Sequence, residues 1–287
     1  MTGACAVLES ALANNPSSKE AVYALKCVNW WLKRIQQIDS IHDSYNKGGF
    51  LFTQWEPFSD FCKQLDGSYE SCQYAVKYCI FSTILRFFQD VLGSDSNQHD
   101  PELLLQVSRC YKGMGNYDLA LKYVQQAVRF KREDGGALSE LADVQALLGE
   151  SRISKALFRE AFFLDPQGVN LHSLESELIL SIVKQVYALG HTGATVAEWI
   201  PVYGSLFGIF SVKRALKSIE VSRLKQSILN LEGDIRTNKG DLTLIKPRLI
   251  NRYFWLMDQY EEEPNIIEET MLKIKAIDPL IYERYQN

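Results

Sequence analysis

The side chains best suited to acid–base or metal chemistry, the histidines, are scattered along the sequence. They are His42, His99, His172 and His191. None belongs to an H-E-x-x-H pattern, and the sequence contains neither a phosphate-binding glycine loop nor a G-x-S-x-G nucleophile elbow. The carboxylates of Glu261–Glu263 offer ligands to a cation, but three of them before a proline are typical of a solvated turn. The sequence therefore predicts no enzyme, no metal site and no cofactor.

The cysteines also lack the spacing of a chemical site. They are Cys5, Cys27, Cys62, Cys72, Cys79 and Cys110, and no two of them form a C-x-x-C pair. Most lie in apolar patterns of helical spacing, where a free cysteine behaves as a small hydrophobic residue. Disulfide frameworks belong to short secreted chains, so we expect reduced thiols and a cytoplasmic protein.

The length and the net charge of the chain exclude further classes of protein. A chain of 287 residues is enough for one elongated helical domain or two compact ones, and a net charge of −4 argues against nucleic-acid binding, which needs a clustered cationic surface. The first residues lack the basic region of a signal peptide and carry Glu9 inside their apolar run. No apolar stretch reaches the ~20 residues that span a bilayer, so we expect no membrane partner.

The elements that would position any site follow from a repeat between Pro101 and Pro166. When the sequence is shifted by 34 residues, Leu104 falls on Leu138, Ser108 on Ala142, Gly115 on Gly149, Ala120 on Ser154 and Ala127 on Ala161. A fixed period of this length is typical of a solenoid of helix-turn-helix units. The small residues predict where two helices cross closely, and each glycine predicts the end of a first helix.

This pattern resembles the tetratricopeptide repeat (TPR) family, in a bacterial type with divergent flanking helices. The first copy keeps Tyr111, Gly115, Asn116, Tyr117, Ala120 and Ala127; the second keeps Leu141, Gly149, Phe158, Ala161 and Leu164–Pro166. Departures fall at Leu104, Val124, Arg132, Gln145 and Ser151. The resemblance implies an all-α fold in which helical hairpins stack in a right-handed superhelix. It also implies a concave groove, lined by the first helices, that holds peptide partners.

Carried over by position, the resemblance assigns the groove to one face of each first helix. These residues are Leu105, Gln106, Arg109 and Lys112 in one repeat, and Ser139, Glu140, Asp143 and Leu147 in the next. A variant of the family grips a peptide carboxylate with Lys and Asn, where this chain has Leu105 and Arg109. Alternatively, the basic and acidic side chains pair with one another across the helices and carry no functional message.

The front of the chain is predicted to be a helical region over 1–93, followed by a loop over 93–100. Helices are expected over Ala4–Ala13 and Ser68–Leu92, a capping box at Ser17 with Glu20, and a turn at Lys47–Gly49. A further helix carries apolar residues between 50 and 65. The region is rich in aromatic residues, which either line a ligand pocket or fill gaps between long helices.

Residues 101–168 hold the two repeats, and 169–287 are predicted to form degenerate hairpins and a C-terminal cap. A helix that ends at Gly190 and a partner helix containing Pro201 are predicted to form one hairpin. Residues Arg248–Pro279 are predicted to form the last hairpin, capped by Leu280–Tyr285. A long helix is expected over Ser211–Asn238. Its apolar seam is Val221, Leu224, Ile228, Leu231 and Ile235. The seam either packs on a neighbouring hairpin or joins two copies of the chain.

The sequence thus predicts a non-catalytic adaptor that presents a groove to a protein or peptide. Two alternatives stay open: a small-molecule-binding module with an aromatic pocket, and a structural subunit that assembles with itself. The partner and the pathway are not encoded in any motif of the sequence.

Overall fold

The computed structural model describes residues 1–93 and 99–286, and all regular structure in these two ranges is helical. The predicted all-α fold is therefore confirmed. The predicted loop over 93–100 lies largely outside the described residues. No helix in the described ranges combines the length and the apolarity needed to cross a bilayer.

The chain divides into two compact units, residues 1–130 and 131–287. Unit 1 contains α1 (Thr2–Asn14), α2 (Lys19–Ile35), a 3-10 helix (Gln36–Ser40), α3 (Ser44–Thr53), α4 (Trp55–Lys63), α5 (Glu70–Leu92), α6 (Pro101–Gly113) and α7 (Tyr117–Phe130). Unit 2 contains α8 (Gly135–Leu147), α9 (Ser151–Leu164), 3-10 helices at Pro166–Gly168 and Leu171–Ser173, α10 (Glu177–Ala188), α11 (Thr195–Leu206), α12 (Ser218–Arg236), α13 (Leu242–Gln259), α14 (Pro264–Ile277) and α15 (Pro279–Gln286). The two repeats thus fall in different units.

The core of unit 1 is built from aromatic rings. Trp31, Phe58 and Phe81 are buried, the centroids of Trp31 and Phe58 lie 5.3 Å apart, and those of Trp55 and Phe81 lie 5.0 Å apart. These tilted and edge-on arrangements are the favourable ones for aromatic pairs. Most of the rings in the front of the chain therefore fill space between helices.

The predicted turn at Lys47–Gly49 is wrong, because these residues lie inside α3. Gly48 is in close contact with the ring of Phe88, and a Cβ atom at position 48 would lie 2.8 Å from a carbon of that ring. The glycine is needed for a close approach of α3 to α5, not for a turn. The helix expected to carry the apolar residues between 50 and 65 is divided at Gln54 into α3 and α4.

The N-terminal cap of α2 is shifted by one residue from the prediction. Ser18, and not Ser17, precedes the helix, and its hydroxyl accepts a hydrogen bond from the Ala21 amide. The Ser17 hydroxyl donates instead to the side chain of Asn15, at 2.9 Å. The S-x-x-E spacing selected Ser17, but Ser18 directly precedes the helix and is its N-cap.

Each repeat forms a helical hairpin with the predicted crossing and turn. In α6–α7, the buried Ser108 hydroxyl donates to the Ala120 carbonyl at 2.8 Å, and Gly115 has φ of +77°. In α8–α9, Ala142 and Ser154 are fully buried, and Gly149 has φ of +86°. Small residues thus bring the paired helices close, and the glycines adopt a conformation that other residues rarely adopt.

Two further hairpins follow in unit 2. Helices α10 and α11 are connected through Gly190, with φ of +91°, and α11 contains Pro201. The turn after α11 is closely packed, and in it the Phe210 amide donates to the Gly204 carbonyl at 2.8 Å. Helices α13 and α14 form the terminal hairpin, and α15 is the predicted cap.

The predicted helix over Ser211–Asn238 is only partly correct. Helix α12 starts at Ser218, and the preceding residues 211–217 have no regular structure. Side chains from other helices bind their backbone: Arg159 donates to the Val212 carbonyl, and Gln259 exchanges hydrogen bonds with the Arg214 carbonyl and the Leu216 amide. These contacts replace the hydrogen bonds that a helix would have made.

Candidate functional site

The groove residues assigned to α6 differ in exposure. Leu105 and Lys112 are buried, with Lys112 only 2% exposed, whereas Gln106 and Arg109 are half-buried. The latter two therefore keep some exposed surface on this face, although the Oε1 atom of Gln106 is buried. A charge change at Lys112 would disturb the interior and would not be a clean test of binding.

The groove residues assigned to α8 are more deeply buried. Ser139, Glu140 and Asp143 are at most 2% exposed, and Leu147 is half-buried. The Ser139 hydroxyl donates to the Gly136 carbonyl within the same helix, at 2.7 Å.

The two carboxylates of α8 hold a segment of the same chain. Asp143 accepts hydrogen bonds from the Glu175 amide, at 2.9 Å, and from the Ser176 amide, at 2.8 Å. Glu140 accepts one from the Ser173 hydroxyl. The segment before α10 therefore lies on this face of α8 and binds its two carboxylates. Its contacts with α8 have no local signal in the sequence, since they join residues more than 30 positions apart.

A groove between α4 and α5 of unit 1 has an aromatic lining. Its volume is about 670 Å³, and its walls include Trp55, Phe58 and Tyr74 together with Lys63 and Lys77. This groove is the nearest match in the described residues to the aromatic pocket that the sequence left open. Its lysines give it a polar rim, but no carboxylate–histidine or similar catalytic pair lines it.

A second groove, between α1, α2 and α5, is aliphatic rather than aromatic. Its volume is about 580 Å³, and its lining is mainly Ala, Val and Leu side chains with the sulfur atoms of Met1, Cys72 and Cys79. One end is polar, because the Ser71 hydroxyl donates to the Glu20 carboxylate at 3.1 Å. An apolar body with a polar end is the usual arrangement of a small-molecule site.

Three thiols, those of Cys27, Cys62 and Cys72, lie close together, and Cys72 lines this groove. A hydrogen bond with Cys27 lowers the pKa of Cys72, whereas burial raises the pKa of Cys62. The same bond, and then burial, raise the pKa of Cys27. All six cysteines are free, and no group of three or more His, Cys, Asp or Glu side chains in the described ranges is arranged to hold a metal.

His191 and Glu261, two of the side chains that the sequence offered for chemistry, contact other side chains of the protein. His191 stacks on Trp199 with centroids 4.6 Å apart, and its Nε2 lies 3.3 Å from the Tyr203 hydroxyl. Burial lowers the pKa of His191 below its usual range. Glu261 forms an ion pair with Lys213 in the turn before α14.

No protein-family model matches this sequence, and a comparison with curated proteins finds no relative. Any function must therefore be argued from the geometry of the chain itself.

Proposed function

We propose that the protein is a non-catalytic, cytoplasmic adaptor of the TPR type, whose hairpins stack in a right-handed superhelix and bind a protein or peptide. The observation that supports this proposal is the pair of equivalent hairpins. Ser108 and Ala142 stand at matching crossings, and Gly115 and Gly149 at matching turns with positive φ. Repeated units of this kind create extended surfaces suited to binding other proteins.

The partner surface in this proposal includes the half-buried face of α6. Arg109 supplies a cation there, whereas the Gln106 amide oxygen is buried and the carboxylates of α8 are engaged by residues 173–176. A partner that reached Glu140 or Asp143 would have to displace that segment. The proposed contact within unit 1 is therefore the face around Arg109.

The test is a capture experiment with a surface variant that leaves the core intact. Arg109→Glu reverses the charge of this face, and the matched control, Arg129→Glu, makes the same change at an exposed position of α7. Purified wild type and both variants are coupled to beads and exposed to lysate of the source cells. The recovered proteins are identified by mass spectrometry, and the affinity of each purified candidate is then measured by calorimetry.

We expect a partner that binds wild type and the control with equal affinity and binds the α6 variant at least about tenfold more weakly. Equal affinity for all three proteins would refute the assignment of this face. Recovery of the chain alone would favour the self-assembling subunit over the adaptor.

The second candidate function is binding of an apolar small molecule in the aliphatic groove of unit 1. The observation that favours it is the contiguous aliphatic lining that ends at Glu20 and Ser71. Ala24→Phe would fill this groove, whereas Ala13→Phe places the same ring on an exposed part of α1. A long-chain amine should raise the melting temperature of wild type and Ala13→Phe but not of Ala24→Phe. No shift in any of the three would reject this function.

A further inference from the structure

Two rings and two guanidinium groups of unit 2 form a continuous stack. The centroid of Phe163 lies 4.4 Å from that of Trp255. The guanidinium carbon of Arg252 lies 3.9 Å from the centre of Phe163, and that of Arg159 lies 4.7 Å from the centre of Trp255. Both cations are therefore within the range in which a ring face attracts a positive charge.

Three of the four arginines around this stack have carboxylate partners. Arg159 pairs with Asp258. Arg214 lies 3.0 Å from both Glu160 and Glu220. Arg248 donates to both oxygens of the fully buried Glu198. These pairs offset the cost of removing each charge from water.

Arg252 is different, because no carboxylate of the described residues forms an ion pair or a hydrogen bond with it. Its Nε atom is buried without a hydrogen-bond partner, and the side chain as a whole is half-buried. Burial, and to a smaller extent the neighbouring charge of Arg248, lower the pKa of Arg252 to about 10. The guanidinium is therefore charged at neutral pH but incompletely compensated.

Packing alone does not explain an arginine at this position. The aliphatic stem and the contact with Phe163 contribute to packing, yet an apolar side chain of similar length would make those contacts without a desolvated charge. The arginine adds a planar fork of donors on a side chain that is half-buried and not enclosed. This fork matches the oxygens of a carboxylate or a phosphate.

We propose that Arg252, with Arg248 beside it, binds an oxyanion, that is, a carboxylate or phosphate group, at the solvent-facing edge of the Phe163–Trp255 stack. Arg252 supplies the hydrogen bonds. Arg248 lies beside it as a second cation, which Glu198 pairs with and whose pKa Asp165 also helps to raise. The inference is independent of the adaptor function, since Arg252 lies on α13 of unit 2 and the adaptor face lies on α6 of unit 1.

The experiment compares the 287-residue protein in solutions of sodium chloride, sodium acetate and sodium phosphate at equal ionic strength. The melting temperature is measured in each salt, and the Nε–Hε signal of Arg252 is followed by NMR during titration with acetate or phosphate. The variants are Arg252→Gln, Arg252→Lys and, as a control, Arg223→Gln, which removes an exposed arginine from α12.

In wild type and Arg223→Gln, acetate or phosphate should raise the melting temperature above its value in chloride and shift the Arg252 signal saturably. Arg252→Gln should weaken binding by about tenfold or more, as loss of a charge-assisted contact does. Arg252→Lys, which keeps the charge but not the fork, should bind with intermediate affinity. A response to acetate alone identifies a carboxylate ligand, and a response to phosphate alone identifies a phosphorylated one.

The proposal is overturned if neither salt shifts the signal of Arg252. It is also overturned if Arg252→Gln keeps the full anion response. Should Arg252→Gln fail to fold, the saturable shift in wild type and its weakening in Arg252→Lys still decide the question, because neither readout needs the glutamine variant.

Discussion

Two adjacent glycines of α3 have different surroundings, and this difference can be measured. A Cβ atom on Gly48 would lie 2.8 Å from the buried ring of Phe88, whereas a Cβ atom on Gly49 would have no neighbour within 4 Å. We therefore expect Gly48→Ala to destabilise unit 1 by about 1–3 kcal/mol through overpacking. Gly49→Ala should stabilise it by up to about 1 kcal/mol, because alanine favours a helix more than glycine does.

The measurement is urea unfolding of both variants, followed by circular dichroism. The pair controls for helix propensity, since the same substitution is made twice in one helix. Equal free energies of unfolding in the two variants would mean that α3 does not approach α5 as closely as the structure shows.

His191 gives the chain a predictable response to pH. Burial on Trp199 lowers its folded-state pKa below the usual 6.5, and the weaker opposing effect of Asp278 does not cancel the shift. A lowered folded pKa means that the unfolded chain binds the proton more readily. The contribution of His191 to stability is therefore complete above pH 6.5 and is lost as the pH falls through the folded pKa.

We expect His191→Gln to flatten the loss of melting temperature between about pH 7 and pH 5, since glutamine does not titrate there. His42→Gln, at an exposed position of unit 1, should leave the slope unchanged. If the slope of His191→Gln equals that of wild type, the histidine is not desolvated by its stack on Trp199.

At the scale of the helices, what the sequence predicted depends on how far apart the interacting residues are. The hairpins were predictable because Ser108 meets Ala120 only 12 positions later, and because Gly115 and Gly149 act on their own turns. The turn at Gly48 was mispredicted because its cause, Phe88, lies in another helix.

The same reason applies to residues 211–217 and to the candidate sites. The local pattern favours a helix there, but Arg159 and Gln259 bind the backbone of this segment from distant positions. No pattern in the sequence marked Arg252 as a binding residue either. Glu198 binds Arg248 and not Arg252, and this choice depends on the three-dimensional structure. The groove residues could be assigned by position, but their burial could not.

Two backbone amides of the segment before α10 bind one carboxylate, which makes this contact testable. Asp143 accepts both the Glu175 and the Ser176 amides. Asp143→Asn removes the charge and leaves only one acceptor oxygen. Each hydrogen bond to a charged group contributes about 1.5–3 kcal/mol, so we expect a loss of this order and much faster hydrogen exchange at these two amides.

The matched control is Glu133→Gln, which neutralises an exposed carboxylate just before α8. Its exchange rates at positions 175 and 176 should equal those of wild type. Exchange is read amide by amide, so a general loss of stability is distinguishable from a local release of the segment. Unchanged protection of both amides in Asp143→Asn would show that other contacts hold the segment on α8.

For the molecule as a whole, the apolar seam of α12 decides between internal packing and self-association. Leu224 and Ile228 are buried, and α12 packs against α13 within unit 2. Leu229 lies on another face of the helix and is 60% exposed. The seam is thus occupied by the chain's own helix, and an association of two copies through α12 would have to use the exposed face instead.

This distinction predicts opposite results for two substitutions in one helix. Leu224→Asp places a charge in the core of unit 2 and should destabilise it by more than about 3 kcal/mol, while Leu229→Asp should change stability by no more than about 0.5 kcal/mol. Thermal unfolding and sedimentation equilibrium are measured on both. If Leu224→Asp kept its melting temperature and halved the molecular mass, the seam would face a second copy. If Leu229→Asp halved the molecular mass, the exposed face of α12 would join two copies of the chain. That result would support the self-assembling subunit over the adaptor.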